Sequence, residues 1–201
     1  MKISNVEQLR ELYGQAKGRA KLKQLSALEQ HSEKFVKLSP FCIVSTANGA
    51  NELDASPRGG KPGFVYILDE KTLLIPDVKG NNRLDSLVNI IDNNQVGLLF
   101  LIPGVDETLR VNGRAEIRVD EKYVTLFDEF QNPPKSVIKV VIDEVFLHCA
   151  KALMRSKLWR ADSQVERSIM PTMGKMINDQ IKDTSEPESQ SEMLARYEKE
   201  L

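Results

Sequence analysis

Residues 41–68 have the sequence FCIVSTANGANELDASPRGGKPGFVYIL, in which short β-rich runs alternate with turn residues. FCIVSTA and LDAS flank the turn NGAN, and this pattern predicts a β-hairpin. A second hairpin is predicted where FVYIL and LLIP flank the turn DEKT. The two hairpins begin the part of the chain that is richest in predicted strands.

Beyond the hairpins the sequence predicts a helix, NNRLDSLVNIIDNN, with Leu84, Leu87, Val88 and Ile91 on one apolar face. A long run of alternating apolar residues near the end of this part is typical of a barrel strand. The further strands are predicted at QVGLLFLIP, ETLRVNGRAEIRV and SVIKVVIDEVFLHCA, and short helices at residues 120–130 and 151–159.

Helices are predicted on both sides of the strands. Residues 5–38 carry apolar residues at helical spacing, and Ser26 with Glu29 fits a capping box for the second helix of this segment. Six or so strands with only two interior helices predict a mainly β fold with flanking helices (α+β), a small barrel in one domain over residues 1–182. Residues 183–201 are rich in Ser, Glu, Pro and Gln, which predicts either a flexible tail or an arm over a partner subunit.

The overall composition excludes several classes of function. The 201 residues carry a formal net charge of −1, which gives no electrostatic footprint for nucleic acid or an anionic membrane. No signal peptide is recognisable, so a soluble, cytoplasmic protein is expected. His31 and His148 are far apart and lack neighbours at ligand spacing, so no metal site is expected. No catalytic side chain can be assigned, and any chemistry would come from a bound cofactor.

Residues 54–63, DASPRGGKPG, form the first segment suited to binding an anion. Its glycines allow a close approach of backbone N–H groups, and its arginine offers two parallel hydrogen bonds to a phosphate. The alternative is an ordinary exposed hairpin loop, which has the same composition.

Residues 76–83, PDVKGNNR, form the second such segment, at the end of a strand and the start of a helix. A helix N-terminus attracts anions, and Asn81 or Asn82 could cap it. Arg83 in the first turn would oppose the helix dipole, which favours a bound anion beside it.

These segments, in this order, resemble the FMN-binding split β-barrel of the pyridoxamine 5′-phosphate oxidase-like flavoproteins. The closest similarity is to bacterial members that have an SPRG loop, a GNNR-type turn and a late KALxRSKLW segment, here residues 151–159. The resemblance covers about residues 25–180. It implies a homodimer that binds FMN at its interface, so that a monomer could not complete the site.

The resemblance also implies roles for individual residues. Pro76, Asp77 and Val78 would pass the isoalloxazine ring with backbone contacts. The other expected contacts are Ser56 and Arg58 with the phosphate or ribityl chain and Lys61 nearby, Lys79, Asn82 and Arg83 around the phosphate, and Arg155, Ser156 and Trp159 from the other subunit or closing the pocket.

Two departures from the family pattern limit the expected function. Many members have two adjacent basic residues where this chain has Asn82 and Arg83, so one phosphate contact is neutral. The arginine-and-histidine signature for pyridoxamine phosphate is absent after Trp159, so vitamin B6 oxidation is not predicted. The prediction is an FMN-dependent oxidoreductase with a small-molecule substrate or electron donor that the sequence does not identify. The alternative is a non-catalytic module that holds flavin or haem for storage or sensing.

Overall fold

A computed structural model describes residues 2–200 of the chain. The strands are β1 (Phe41–Ala47), β2 (Leu53–Gly59), β3 (Tyr66–Asp69), β4 (Thr72–Asp77), β5 (Gln95–Leu101), β6 (Thr108–Arg118) and β7 (Ser136–His148). The helices are α1 (Val6–Tyr13), α2 (Arg19–Leu22), α3 (Gln30–Leu38), α4 (Asp85–Asp92), α5 (Glu121–Val124), α6 (Lys151–Ser156), α7 (Met173–Ile181) and α8 (Gln190–Tyr197).

The seven strands form one antiparallel sheet in the order β2-β1-β5-β6-β7-β4-β3. The sheet does not close, because β2 and β3 remain at its two edges. Both predicted hairpins are present as β1–β2 and β3–β4. The predicted α+β architecture of a split β-barrel with flanking helices is therefore confirmed.

Strand β2 extends further than the sequence indicated. The predicted strand ended at Ser56, whereas Pro57 to Gly59 continue β2 and pair with β1. Pro57 is compatible with this position because β2 is an edge strand, where a missing N–H costs no ladder hydrogen bond. The strand places Asp54, Ser56 and Arg58 on one face, opposite Thr46, Val44 and Cys42 of β1.

We call this the inner face, because it is continuous with the hydrophobic core. Val44, Leu98 and Val111 on neighbouring strands are almost completely buried, and α3 contributes Phe35 and Val36 to the same core. Alternate residues of β1, β2 and β5 point the other way. We call the outward set the outer apolar face; it consists of Phe41, Ile43, Ala47, Leu53, Ala55, Pro57, Leu99 and Leu101, all half-buried or exposed.

The prediction of which side of α4 faces the core is wrong. Leu87 is buried as expected, but Val88 and Ile91 are 56% and 79% exposed. The helix is rotated because polar side chains fix it to the sheet: Ser86 donates a hydrogen bond to Asp54, and Asn89 Nδ2 donates to Thr46 Oγ1 at 3.1 Å. An apolar stripe of this helix is therefore left facing outward.

The N-terminal helices are shorter than predicted, and the capping box lies elsewhere. Glu29 itself is the N-cap of α3, its side chain accepting from the Ser32 N–H while the Ser32 hydroxyl accepts from the Glu29 N–H. The motif SALE suggested Ser26 as the cap, but Glu29 and Ser32 satisfy the same reciprocal geometry one turn later. Helix α1 has no buried residue.

The polar C-terminal segment contains a helix where the composition indicated a flexible tail or an arm. Helix α8 begins with a capping box between Ser189 and Glu192, and Met193 on it is buried. The Thr172 hydroxyl at the start of α7 lies 3.4 Å from the carbonyl of Glu188, which holds the two helices together. Within residues 2–200, no helix has the length and apolarity needed to cross a membrane.

Gly113 lies in β6 at a position where the backbone of β7 leaves no room for a side chain. The register shifts between Asn112 and Gly113, and a Cβ added at Gly113 would lie 2.1 Å from the carbonyl oxygen of Val141. Gly113→Ala should lower the free energy of unfolding by about 2–4 kcal/mol, because the clash is with backbone that cannot move aside. Urea denaturation checks this, and Gly80→Ala, where no atom lies within 4 Å, should leave stability unchanged.

Candidate functional site

On the open side of the sheet, β2 and the end of β4 lie near each other, with a polar gap between them. Arg58 is close enough to Asp77 for its charge to act on the carboxyl group. Burial raises the pKa of Asp77, and the positive charge of Arg58 opposes this rise. The gap therefore holds a half-buried guanidinium and a half-buried carboxyl group instead of the apolar side chains found elsewhere on the inner face.

Three side chains extend this gap toward α4. The Ser56 hydroxyl donates to Asp54 at 2.9 Å, and the Ser86 hydroxyl at the start of α4 donates to the same carboxylate. This network ties the edge strand to the helix. It also leaves carboxylate and hydroxyl oxygens that could accept hydrogen bonds from a polyhydroxylated chain.

Cys42 lies opposite Arg58 on β1 and is fully buried. Burial raises the pKa of this thiol to about 12, although Arg58 acts in the opposite direction. Thiolate chemistry is therefore excluded at this position near neutral pH.

The turn between β4 and α4 has an unusual backbone. Asn82 and Leu84 both adopt left-handed conformations, with φ of 59° and 60°, on either side of Arg83. Such a conformation is unfavourable for leucine, and strained backbone of this kind is concentrated at ligand sites. The Arg83 side chain between them is 73% exposed, and its Nε donates to Asp85 at 2.8 Å.

Two predictions for this turn are wrong in detail. Neither Asn81 nor Asn82 caps the helix; Leu84 occupies the N-cap position, without a side-chain hydrogen bond. Arg83 accordingly precedes the helix and is not in its first turn. The N-terminus of α4 therefore lacks a side-chain cap. It lies next to an exposed arginine that is paired with Asp85, and an open cavity of about 350 Å³ borders it.

Lys79 in the same turn makes a contact that the sequence does not reveal. Its Nζ lies 2.8 Å from the carboxylate of Glu200, beyond α8. The C-terminal segment thus reaches the turn that carries the predicted phosphate ligands.

The remaining predicted residues on this side of the molecule lie as follows. Pro76 pairs with Val137, one position before the last paired residue of β4, and Val78 follows that strand at the mouth of the gap with 37% of its surface exposed. Lys61 is exposed in the turn after β2, and its carbonyl accepts from Phe64.

The third predicted segment lies apart from these residues. Arg155 and Ser156 end α6, and the indole N–H of Trp159 donates to the carbonyl of Val105 in the β5–β6 turn at 2.9 Å. Among the residues the structure describes, no hydrogen bond or ion pair joins this segment to Arg58 or Arg83. One protomer therefore does not unite all the residues that the resemblance implies.

Asp54 and Ser86 are parts of the site that sequence reasoning missed. Asp54 was included in the first segment, but no role was assigned to it. Asp54, Ser56 and Arg58 are alternate residues, and alternate residues of a strand share one face. Recognising the segment as a strand would therefore have placed Asp54 beside Ser56 and Arg58.

Comparisons with known proteins agree with this architecture. The family model for pyridoxamine 5′-phosphate oxidase matches residues 28–149. No curated protein matches the sequence. Among solved structures, HupZ of group A Streptococcus is similar over 60% of this chain and 93% of its own, with 18% identity and a TM-score of 0.51. A Lactobacillus delbrueckii protein provisionally named a pyridoxamine 5′-phosphate oxidase is similar over 62% of this chain and 98% of its own, with 21% identity and a TM-score of 0.49. The family match spans the whole sheet, and the chain therefore belongs to the pyridoxamine 5′-phosphate oxidase family.

Proposed function

We propose that the protein binds FMN in the gap between β2 and β4 and acts as an FMN-dependent oxidoreductase on a small substrate or electron donor. The observation that carries the proposal is the convergence of Arg58, Ser56 and Asp77 at the open side of the sheet with the strained turn that presents Arg83. Bound flavin would supply hydride or electron transfer, and the chain would hold and orient it.

The donor set of this region fits a phosphate and a ribityl chain. Lys79 and Arg83 are exposed cations beside an α4 N-terminus whose N–H groups have no side-chain cap, and this combination favours a phosphate. Asp54 and Ser56 offer acceptor oxygens for hydroxyl groups. The acidic partners of Lys79 and Arg83 are surface groups, and a doubly charged phosphate can replace them.

A homodimer is part of the proposal. The outer apolar face and the exposed stripe of α4 leave adjacent apolar surface on one protomer, and Leu53 and Val88 line the same cavity from these two surfaces. Contiguous exposed apolar surface is typical of an interaction site. In the proposed dimer, Arg155, Ser156 and Trp159 of the partner subunit close the pocket that one protomer leaves open.

The visible absorption spectrum of the purified protein tests flavin binding directly. We expect the two bands of oxidised flavin, and release of the chromophore should yield FMN at about one per subunit. A colourless protein that also fails to bind added FMN would contradict the proposal.

A second experiment separates an oxidoreductase from a module that only holds flavin. Bleaching of the bound flavin by a nicotinamide donor, followed by reoxidation with an added acceptor, is expected of the enzyme. Flavin that stays oxidised with every donor tested would favour the storage or sensing alternative.

The contact between Lys79 and Glu200 predicts a measurable effect on flavin affinity. Glu200→Gln should tighten FMN binding by about two- to fivefold. In the unmodified protein Lys79 must give up its ion pair with Glu200 to bind the phosphate, and in the variant this ion pair is absent. Quenching of flavin fluorescence measures the affinity. Glu198→Gln changes the same charge two residues away and should leave affinity unchanged; an equal effect of both variants would show that only net charge matters.

A further inference from the structure

Asp77 places a carboxyl group at the end of an apolar row of β4. It follows Leu73 and Ile75 at alternate positions of the strand, and both of these side chains are completely buried in the hydrophobic core. Alternate residues of a strand share one face, so the Asp77 side chain continues this core-facing row into the gap between β2 and β4. An ionised group in such a place is costly unless a partner compensates its charge.

The carboxyl group of Asp77 has no partner in direct contact. Within residues 2–200 it forms no hydrogen bond or ion pair, and its pair on β7, Ser136, is uncharged. Arg58 acts on it from β2 through its charge alone. The Arg58 side chain donates to the carbonyl of Pro57 at 3.0 Å, and its remaining N–H groups are available to a ligand.

A ligand in the gap would change the surroundings of both side chains. The proposed contacts of Arg58 with the phosphate or ribityl chain would direct its donors away from Asp77, and the ligand would exclude water from the carboxyl group. Burial already raises the pKa of Asp77, and Arg58 is the group that opposes this rise. Cys42, opposite Arg58 on β1, adds no charge, because burial raises the pKa of its thiol to about 12. Both changes therefore favour the neutral form of Asp77.

We infer that Asp77 takes up a proton when FMN enters the gap and that its neutral carboxyl group then donates a hydrogen bond to the flavin ring. This role of Asp77 depends on the proposed function and extends it, since the family resemblance implies only a backbone contact. A protonated carboxyl group has one O–H donor, which suits the carbonyl oxygens and unprotonated nitrogens of the ring. Because the pKa of Asp77 is higher in the complex than in the free chain, FMN binding weakens as the pH rises between these two pKa values.

Isothermal titration calorimetry of FMN binding counts the protons that are taken up. The binding enthalpy is measured in two buffers that differ in ionisation enthalpy, for the unmodified protein and for Asp77→Asn. At about pH 7.5 the unmodified protein should take up at least about half a proton more per FMN than the variant. Ionisation of the FMN phosphate contributes to both measurements equally and cancels in the difference. Equal proton uptake by the two proteins would overturn the inference.

The affinities of the variants separate a neutral carboxyl group from a carboxylate. At about pH 8, Asp77→Asn should bind FMN at least as tightly as the unmodified protein, since an amide donates without first taking up a proton, and Asp77→Ala should bind about tenfold more weakly. Asp128→Asn, which removes an exposed carboxylate elsewhere, should match the unmodified protein in affinity and proton uptake.

Two other outcomes would reject different claims. If Asp77→Asn weakens FMN binding as much as Asp77→Ala does, the ionised carboxylate accepts a hydrogen bond from the flavin, and the inference is wrong while the proposed function stands. If the unmodified protein gives no binding heat with FMN and no quenching of flavin fluorescence, the proposed function is wrong and the role of Asp77 fails with it.

Discussion

Replacing Arg58 and Arg83 together by alanine should weaken FMN binding by at least about a hundredfold while leaving a folded protein. Each arginine offers charge-assisted hydrogen bonds to the flavin phosphate or ribityl chain, and each such contact strengthens binding by roughly tenfold or more. Arg83 is mostly exposed, and its side chain contacts only Asp85 at the start of α4, so its loss does not disturb the core. Fluorescence titration with FMN measures the affinity, and circular dichroism with thermal unfolding reports on the fold.

The matched control removes two arginines elsewhere. Arg10 lies on α1, which has no buried residue, and Arg114 forms an exposed pair with Asp143. Their double replacement by alanine changes net charge equally and should leave FMN affinity within about twofold. Undiminished FMN binding in the Arg58 and Arg83 variant would place the flavin outside the gap between β2 and β4.

The strands were predictable because they depend on local patterns. In β1, alternation places Cys42, Val44 and Thr46 inward, and the NGAN turn determines the hairpin that follows. Alternation does not say what covers the other face. In β5, Leu98 is buried and Leu99 is half-buried, although the two residues are identical. Only the arrangement of neighbouring elements distinguishes the core from the outer apolar face.

Helix α4 shows why its orientation could not be predicted. Its apolar residues Leu87, Val88, Ile90 and Ile91 cover more than one side of the helix, so the sequence allows several rotations. Hydrogen bonds from Ser86 and Asn89 to strands about 30 to 40 residues earlier select the observed one. Pairings this distant leave no local signal in the sequence.

The same limit applies to the candidate site. The two segments predicted to bind an anion were recognisable from their arginines, glycines and position between elements. The proximity of Arg58 to Asp77 could not be recognised from the sequence. It depends on the curvature of the sheet, which brings edge strand β2 toward β4 without hydrogen bonds between the two strands. The contact of Lys79 with Glu200 joins residues on opposite ends of the chain and was equally inaccessible.

The second large effect concerns the proposed dimer. Leu53 and Val88 are 86% and 56% exposed in the protomer, so Leu53→Glu with Val88→Glu should leave its folding unaffected. A stable dimer buries about 800 Å² per partner, and four uncompensated carboxylates within that area oppose association strongly. We expect a monomer by sedimentation velocity at concentrations where the unmodified protein is a dimer. FMN affinity should fall by at least about tenfold, because the partner's Trp159 segment no longer closes the pocket.

The control variant introduces the same charge by replacing two exposed apolar residues elsewhere in the protein. Val119 and Ile181 are 74% and 66% exposed and belong to neither the outer apolar face nor α4. Their double replacement by glutamate should leave both the dimer and FMN binding unchanged. A Leu53 and Val88 variant that remains dimeric would reject this interface. A monomeric variant that still binds FMN with full affinity would show that one protomer holds the flavin by itself, and the role of the Trp159 segment would then be confined to its own subunit.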